Sequence, residues 1–151
     1  MQTVFYIFLL ILSFAFMELV AWFTHKYIMH GFLWVLHKDH HIRDGRKLEW
    51  NDLFAVIFAL PSIIFIIAGI SRNFNYSFFI GLGIALYGLA YFLFHDIYVH
   101  KRLNLFGNMQ IFYLEIAKKA HQTHHVPGSY KNYGFLFPPL DYFNKKTFNK
   151  S

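Results

Sequence analysis

Long apolar blocks alternate with short polar stretches along the chain, and the blocks set the architecture. Residues 3–23, 53–70 and 76–94 are almost uninterrupted runs of Phe, Leu, Ile, Val, Ala and Gly. A bilayer core about 30 Å thick needs about 20 apolar residues of helix to cross it. The pattern therefore predicts three spanning helices, the second carrying Pro61 within it. A fourth stretch, 103–116, holds Asn104, Asn108, Gln110 and Glu115. It is too short and too polar to span, which predicts an interfacial or re-entrant helix. The expectation is an all-α integral membrane protein of three to four transmembrane helices, forming a single domain over 1–151. The first block has no basic residues before it and no small-residue cleavage site, so it reads as an anchor rather than a signal peptide.

Charge orients the helices. No Lys or Arg precedes Phe8, and the 71–75 link carries only Arg72. Segment 24–52 carries Lys26, Lys38, Arg43, Arg46 and Lys47, and the other eight basic residues follow His95. The positive-inside rule then places 24–52 and 95–151 in the cytoplasm. The net charge of +6 comes from these flanks, not from a basic run, which argues against a nucleic-acid partner.

Composition removes several chemistries. The absence of cysteine excludes disulfides, Cys-ligated iron–sulfur clusters and thiolate-ligated haem. Gly81, Ala85 and Gly88 share one helical face inside an apolar block with no strand before it. Close helix packing explains that face better than a dinucleotide fingerprint does.

Ten histidines remain, and all fall in four boxes. His25 and His30 form an HxxxxH box, and His37, His40 and His41 an HxxHH box. His95 and His100 form a second HxxxxH, and His121, His124 and His125 a second HxxHH. The order repeats, so the chain carries a degenerate duplication. Each copy starts where a span leaves the membrane, on the face the charges place in the cytoplasm. Residues at i, i+3 and i+4 share a helix face, which predicts that each HxxHH converges on one point. An i, i+5 pair lies about 140° apart on an α-helix. Such a pair reaches two metals, or sits where the helix ends or bulges. Ten neutral imidazoles suffice for two divalent ions at about five each. All ten, His25, His30, His37, His40, His41, His95, His100, His121, His124 and His125, are expected ligands of a dinuclear site in a cytosolic-face cap.

At these boxes the chain resembles the fatty acid hydroxylase superfamily and, within it, the bacterial β-carotene hydroxylase branch. The likeness covers nearly the whole chain, notably HKYIMHGFLWVLHKDHH, FHDIYVHKR and AHQTHHVPGSYKNYGFLF. The tail carries Asn132-Tyr133-Gly134 and Asp141-Tyr142-Phe143, with Asn144 where the superfamily pattern has glycine. The resemblance implies two Fe(II) ions, which zinc can replace in a purified sample, and O2 as co-substrate. It implies hydroxylation at C-3 of a β-ionone ring, taking β-carotene through β-cryptoxanthin to zeaxanthin in a bacterial inner membrane. The chain has no flavin, haem or dinucleotide motif, so a ferredoxin and its reductase are the implied electron source. Lys101, Arg102, Lys118 and Lys119 are candidates for docking an acidic donor.

Other residues carry secondary expectations. Asp39 and Asp96, inside or beside boxes, are candidates to accept the second N–H of a ligating imidazole. Glu18, two turns before His25, is either functional in this way or a helix–helix hydrogen bond. Phe32, Trp34, Tyr98, Tyr133, Phe135 and Phe137 are candidate channel aromatics or ordinary packing. The rivals are a sterol or fatty-acid hydroxylase, a carotenoid ketolase and a histidine-rich metal transporter. Ligands just beyond the spans argue against a transporter, whose sites lie at mid-membrane.

Overall fold

The computed structural model describes residues 1–42, 46, 48–106, 109–129 and 131–143. Arg43, Lys47, Asn108 and Asn144 lie outside that set. The described residues are all helical or irregular, with no strand among them.

Helix α1 runs Gln2–Phe23 and continues without a break into a π-helical segment, Thr24–Phe32. The 22 residues of α1 measure roughly 33 Å at 1.5 Å per residue, enough to cross the hydrocarbon core alone. The π segment extends the same apolar helix to 31 residues. A kink at Gly31 ends that segment and turns the chain into α2, Trp34–His41. Helix α3 spans Asp52–Ile70 and passes through Pro61 without ending. Its missing N–H is tolerated where the rest of the helix is intact. Helix α4, Tyr76–Tyr91, starts at Asn75, whose side chain accepts the Ser77 N–H at 3.0 Å. It too passes into a π segment, Phe92–Val99. Helix α5, Phe112–His124, and a short 3₁₀ turn, Leu140–Phe143, are the last elements among the described residues.

Among the described residues, three helices are long and apolar enough to span: Gln2–Phe32, Asp52–Ile70 and Tyr76–Val99. Their outward residues, among them Phe8, Ile11, Phe16, Ile63, Ile64 and Ile67, are exposed hydrophobics. A helix apolar on all sides is a helix in lipid. The 103–116 stretch differs from expectation. Its first part is irregular, and the helix begins only at Phe112 and carries the last box. Asn104 and Gln110 leave too little continuous apolar face for a surface helix there.

Helix α4 packs along both α1 and α3, while α1 and α3 scarcely touch each other. Two glycines permit this. A Cβ on Gly83 would collide with Ser13 and the Leu10 carbonyl of α1, and one on Gly81 would lie 2.8 Å from the Ile66 nitrogen and Ser62 oxygen of α3. The expected packing face of Gly81, Ala85 and Gly88 is thus corrected. Gly81 packs, Gly83 was missed, and Ala85 and Gly88 line a cavity.

Candidate metal centre

Five of the six most deeply buried large side chains are histidines: His25, His37, His95, His121 and His124. A core built of imidazole is not a hydrophobic core, and it needs partners for its ring nitrogens.

Backbone geometry explains how the HxxxxH boxes work. Both occupy π-helical segments, where i→i+5 hydrogen bonding brings residue i+5 back over residue i. The His100 N–H donates to the His95 carbonyl at 3.0 Å, so the box pair is itself a π-turn bond. The 140° divergence of an α-helix disappears, and each HxxxxH box serves one point.

The HxxHH boxes do the reverse. His25, His30, His37, His41 and His124 bring one ring nitrogen each within 4.8 Å of one another. His40, His95, His100 and His121 form a second such group. His125 joins it through an Nε2–Nε2 approach of 2.8 Å to His121. The expected convergence of three imidazoles per HxxHH is therefore corrected. His37 and His41, at i and i+4, stay together, and His40, about 60° around the helix from His37 and 100° from His41, points to the other group. His124 crosses in the opposite direction. Each half of the duplication supplies four histidines to its own cluster and one to its partner's.

Five of the outer nitrogens are held, while His121 Nδ1 is buried without a hydrogen-bond partner. His25 Nδ1 donates to the Tyr133 carbonyl at 2.9 Å and His124 Nδ1 to the Lys131 carbonyl at 3.0 Å. His37 Nδ1 donates to Asn51 Oδ1 at 2.7 Å, His40 Nδ1 to Glu49 at 3.1 Å and His95 Nδ1 to Asp96 at 2.8 Å. An acceptor at Nδ1 puts the proton there and leaves Nε2 as a lone pair. His25 Nε2 then faces His37 Nε2 at 3.1 Å, lone pair against lone pair. His40 Nε2 is buried with no hydrogen-bond partner. A cation between these nitrogens resolves both problems, so the residues present fit a metal.

Electrostatics agree. His37 is pushed down to about 3 and His41 to about 2, by burial first and by neighbouring imidazoles after it. The same causes, in the same order, hold His40 and His121 well below the usual histidine range. Burial also lowers His124. Neutral imidazole is the form that ligates.

Of the three carboxylates expected behind the histidines, Asp96 accepts from His95. Asp39 instead accepts the Trp50 N–H at 2.6 Å and meets Arg46 at 3.5 Å, which ties down the chain leading to α3. Glu18 accepts the Tyr87 hydroxyl at 2.7 Å and the backbone N–H groups of Phe135 and Leu136 at 2.8 and 3.1 Å. It thereby anchors the irregular 133–137 segment, whose Phe135 ring stacks on His25 at 4.8 Å. Glu49, Asn51 and the two carbonyls were missed by sequence reasoning. Asn51 occupies the N-cap of α3 yet spends its oxygen on His37 rather than on the helix. Arg102, expected to dock a donor, is held by Asp52 at 2.7 and 2.9 Å and lies 3.6 Å from Asp96.

Below the histidines lies an apolar cavity of about 420 Å³ between α1, α3 and α4, lined by Phe135 at its metal end. Among the candidate channel aromatics, Phe135 alone lines it. Phe32 and Phe137 are exposed, Trp34 lies against His30 and His41, Tyr133 against His25 and His124, and Tyr98 packs with Phe94 and Phe106.

Residues 10–145 match the family model described as "Fatty acid hydroxylase". The chain belongs to the fatty acid hydroxylase family. It is 39% identical over 132 residues to a β-carotene hydroxylase of Pseudescherichia vulneris, covering 85% of this chain and 74% of that one. It is 40% identical to the β-carotene hydroxylase of Pantoea ananas over 82% of this chain and 73% of that one. It is also 37% identical to chloroplastic β-carotene hydroxylase 1 of Capsicum annuum over 72% of this chain, which is 36% of that longer protein. No solved structure matches the chain.

Proposed function

We propose that this family member is a carotenoid β-ring 3-hydroxylase, converting β-carotene through β-cryptoxanthin to zeaxanthin. The observation that carries the reading is the 39% identity to a bacterial β-carotene hydroxylase across the segment that contains all four boxes. In this reading the ten histidines hold two iron ions, one in each cluster, which supply the activation of O2 and the oxidation of an unactivated C–H bond.

The remaining work falls to the chain. The Nδ1 acceptors fix the tautomer and direction of the ligating rings. Phe135, stacked on His25 and edge-on to His95 at 5.4 Å, forms the floor of the histidine layer. The apolar cavity presents hydrocarbon beneath it and keeps water out. Electrons come from a ferredoxin with its reductase. Arg102 belongs to the ion network behind His95, so Lys101, Lys118 and Lys119 are left as the docking candidates, with Lys118 also 3.3 Å from Glu115. The clusters lie on the cytoplasmic side of the bacterial inner membrane, as the basic flanks indicate.

Expression in a β-carotene-producing bacterium, followed by chromatography, tests the reading. Zeaxanthin and β-cryptoxanthin are the expected products. Ketocarotenoids, or unchanged β-carotene beside an active reference hydroxylase, would overturn it. Metal analysis with a visible spectrum tests the centre, and a Soret band would exclude it.

A further inference from the structure

Gly88 breaks the rule the other glycines of α3 and α4 follow. A Cβ on Gly69, Gly81 or Gly83 would collide with a neighbouring helix, whereas one on Gly88 meets nothing within 4 Å. Glycine is the weakest helix former after proline, and no helix contact requires it at 88. What Gly88 borders is the cavity.

The shape of that cavity is specific. Its lining on α3 runs from Asp52 to Ile66, roughly 20 Å of helix. Its floor is the α3–α4 crossing, where Ser62 Oγ donates to the Gly81 carbonyl at 2.8 Å. Its polar groups gather at the metal end, at Asn51, Asp52 and Asp96; along the shaft the hydroxyls of Ser62 and Tyr87 are already bonded, and that of Tyr91 lies 3.5 Å from His95. Nothing there would satisfy a polar ligand, so the fitting occupant is hydrocarbon. One side is open, because α1 and α3 flank α4 with scarcely any contact between them.

We propose that this slot seats one cyclic end of a long, slender hydrocarbon reaching it from the bilayer between α1 and α3, and that Gly88 sets its width. The proposal rests on the hydroxylase reading and deepens it. A polyene that matches a membrane core of about 30 Å exceeds the slot, so its distal part stays in lipid while its ring lies under the histidines.

The test expresses the full chain, Gly88→Ala, Gly88→Phe and the neighbouring Leu89→Phe, each with β-carotene supply. Leu89 is exposed and outside the cavity. Three quantities are read: metal per protein, β-carotene co-purifying in mild detergent by visible absorbance, and hydroxylated product. Gly88→Phe is expected to lose about tenfold or more in both bound and converted β-carotene, with metal content unchanged. Gly88→Ala is expected to lose less, and Leu89→Phe to match the parent chain. Equal binding and conversion in Gly88→Phe and Leu89→Phe would overturn the proposal. So would loss of metal or of folded protein in Gly88→Phe, since Gly88 would then be a packing residue. A parent chain that binds β-carotene and yields no hydroxylated product would sink the hydroxylase reading and leave the slot standing.

Discussion

His40 and His124 occupy the same place in their respective boxes, and each points into the cluster built mainly by the other half of the chain. The exchange follows from helix geometry. The middle histidine of HxxHH sits at one edge of the arc, about 60° and 100° around the helix from its companions, so its ring can be aimed at a second point.

Removing a crossing histidine should therefore damage the cluster of the opposite half. His40→Ala is expected to weaken the site of His95, His100 and His121, and His124→Ala that of His25, His30 and His37. Each should cut product formation by about a hundredfold or more, since even outer-shell losses cost tenfold to a hundredfold. Elemental analysis should show iron falling from two ions toward one per chain, and full occupancy in either variant would refute the exchange.

The residues behind the imidazoles should matter almost as much. Asn51→Ala frees His37 Nδ1, and Asp96→Asn removes the carboxylate that orients His95. A drop of roughly tenfold to a hundredfold in metal affinity is expected for each, measured by competition with a chelator. Asn51→Ala should leave the α3 cap unaffected, because Asn51 makes no cap hydrogen bond.

Acid should destabilise the metal-free protein in a defined window. His37 at about 3 and His41 at about 2 stay neutral when folded, while unfolded histidine takes a proton near 6.5. The unfolded state then binds more protons between those values, so stability is complete above about pH 6.5 and falls as pH drops toward about 3. Thermal unfolding of the chelated protein in detergent should show a flat profile from pH 7 to 8 and a decline below about 6.5.

Glu18 should behave as an anchor for the 133–137 segment. Glu18→Ala strands the Phe135 and Leu136 N–H groups and the Tyr87 hydroxyl. A cost of about 1–3 kcal/mol for each buried donor left unsatisfied is expected, and Glu18→Gln should cost less because one amide oxygen still accepts. Melting temperature and metal content should fall together. A stable Glu18→Ala that is merely inactive would point to a chemical role instead.

Much of this was legible in the chain. Bilayer physics demands long apolar runs, and Gln2–Phe32, Asp52–Ile70 and Tyr76–Val99 sit where those runs do. The four boxes were visible because ligand spacing is local. What escaped is what depends on tertiary approach. Nothing local marks the Tyr133 and Lys131 carbonyls as partners of His25 and His124, more than a hundred residues away in the first case. The π segments left a hint, since an HxxxxH pair needs a bulge to work on one metal. Asp39 misled because adjacency in sequence is not adjacency of oxygen to nitrogen. Aromatic content misled too, because the cavity is shaped by Gly88, Ala55 and Ala59, whose smallness carries no pattern of its own.

The crossing of His124 has a consequence for biogenesis. The first cluster takes its earliest histidine from position 25 and its last from position 124, and it leans on the Tyr133 carbonyl and on the segment held by Glu18. A nascent chain with its first two boxes already inserted still lacks that ligand and that support. On the proposed metal reading, loading of either cluster would wait until the chain had been made past the last box, so metal uptake would report on synthesis through His125.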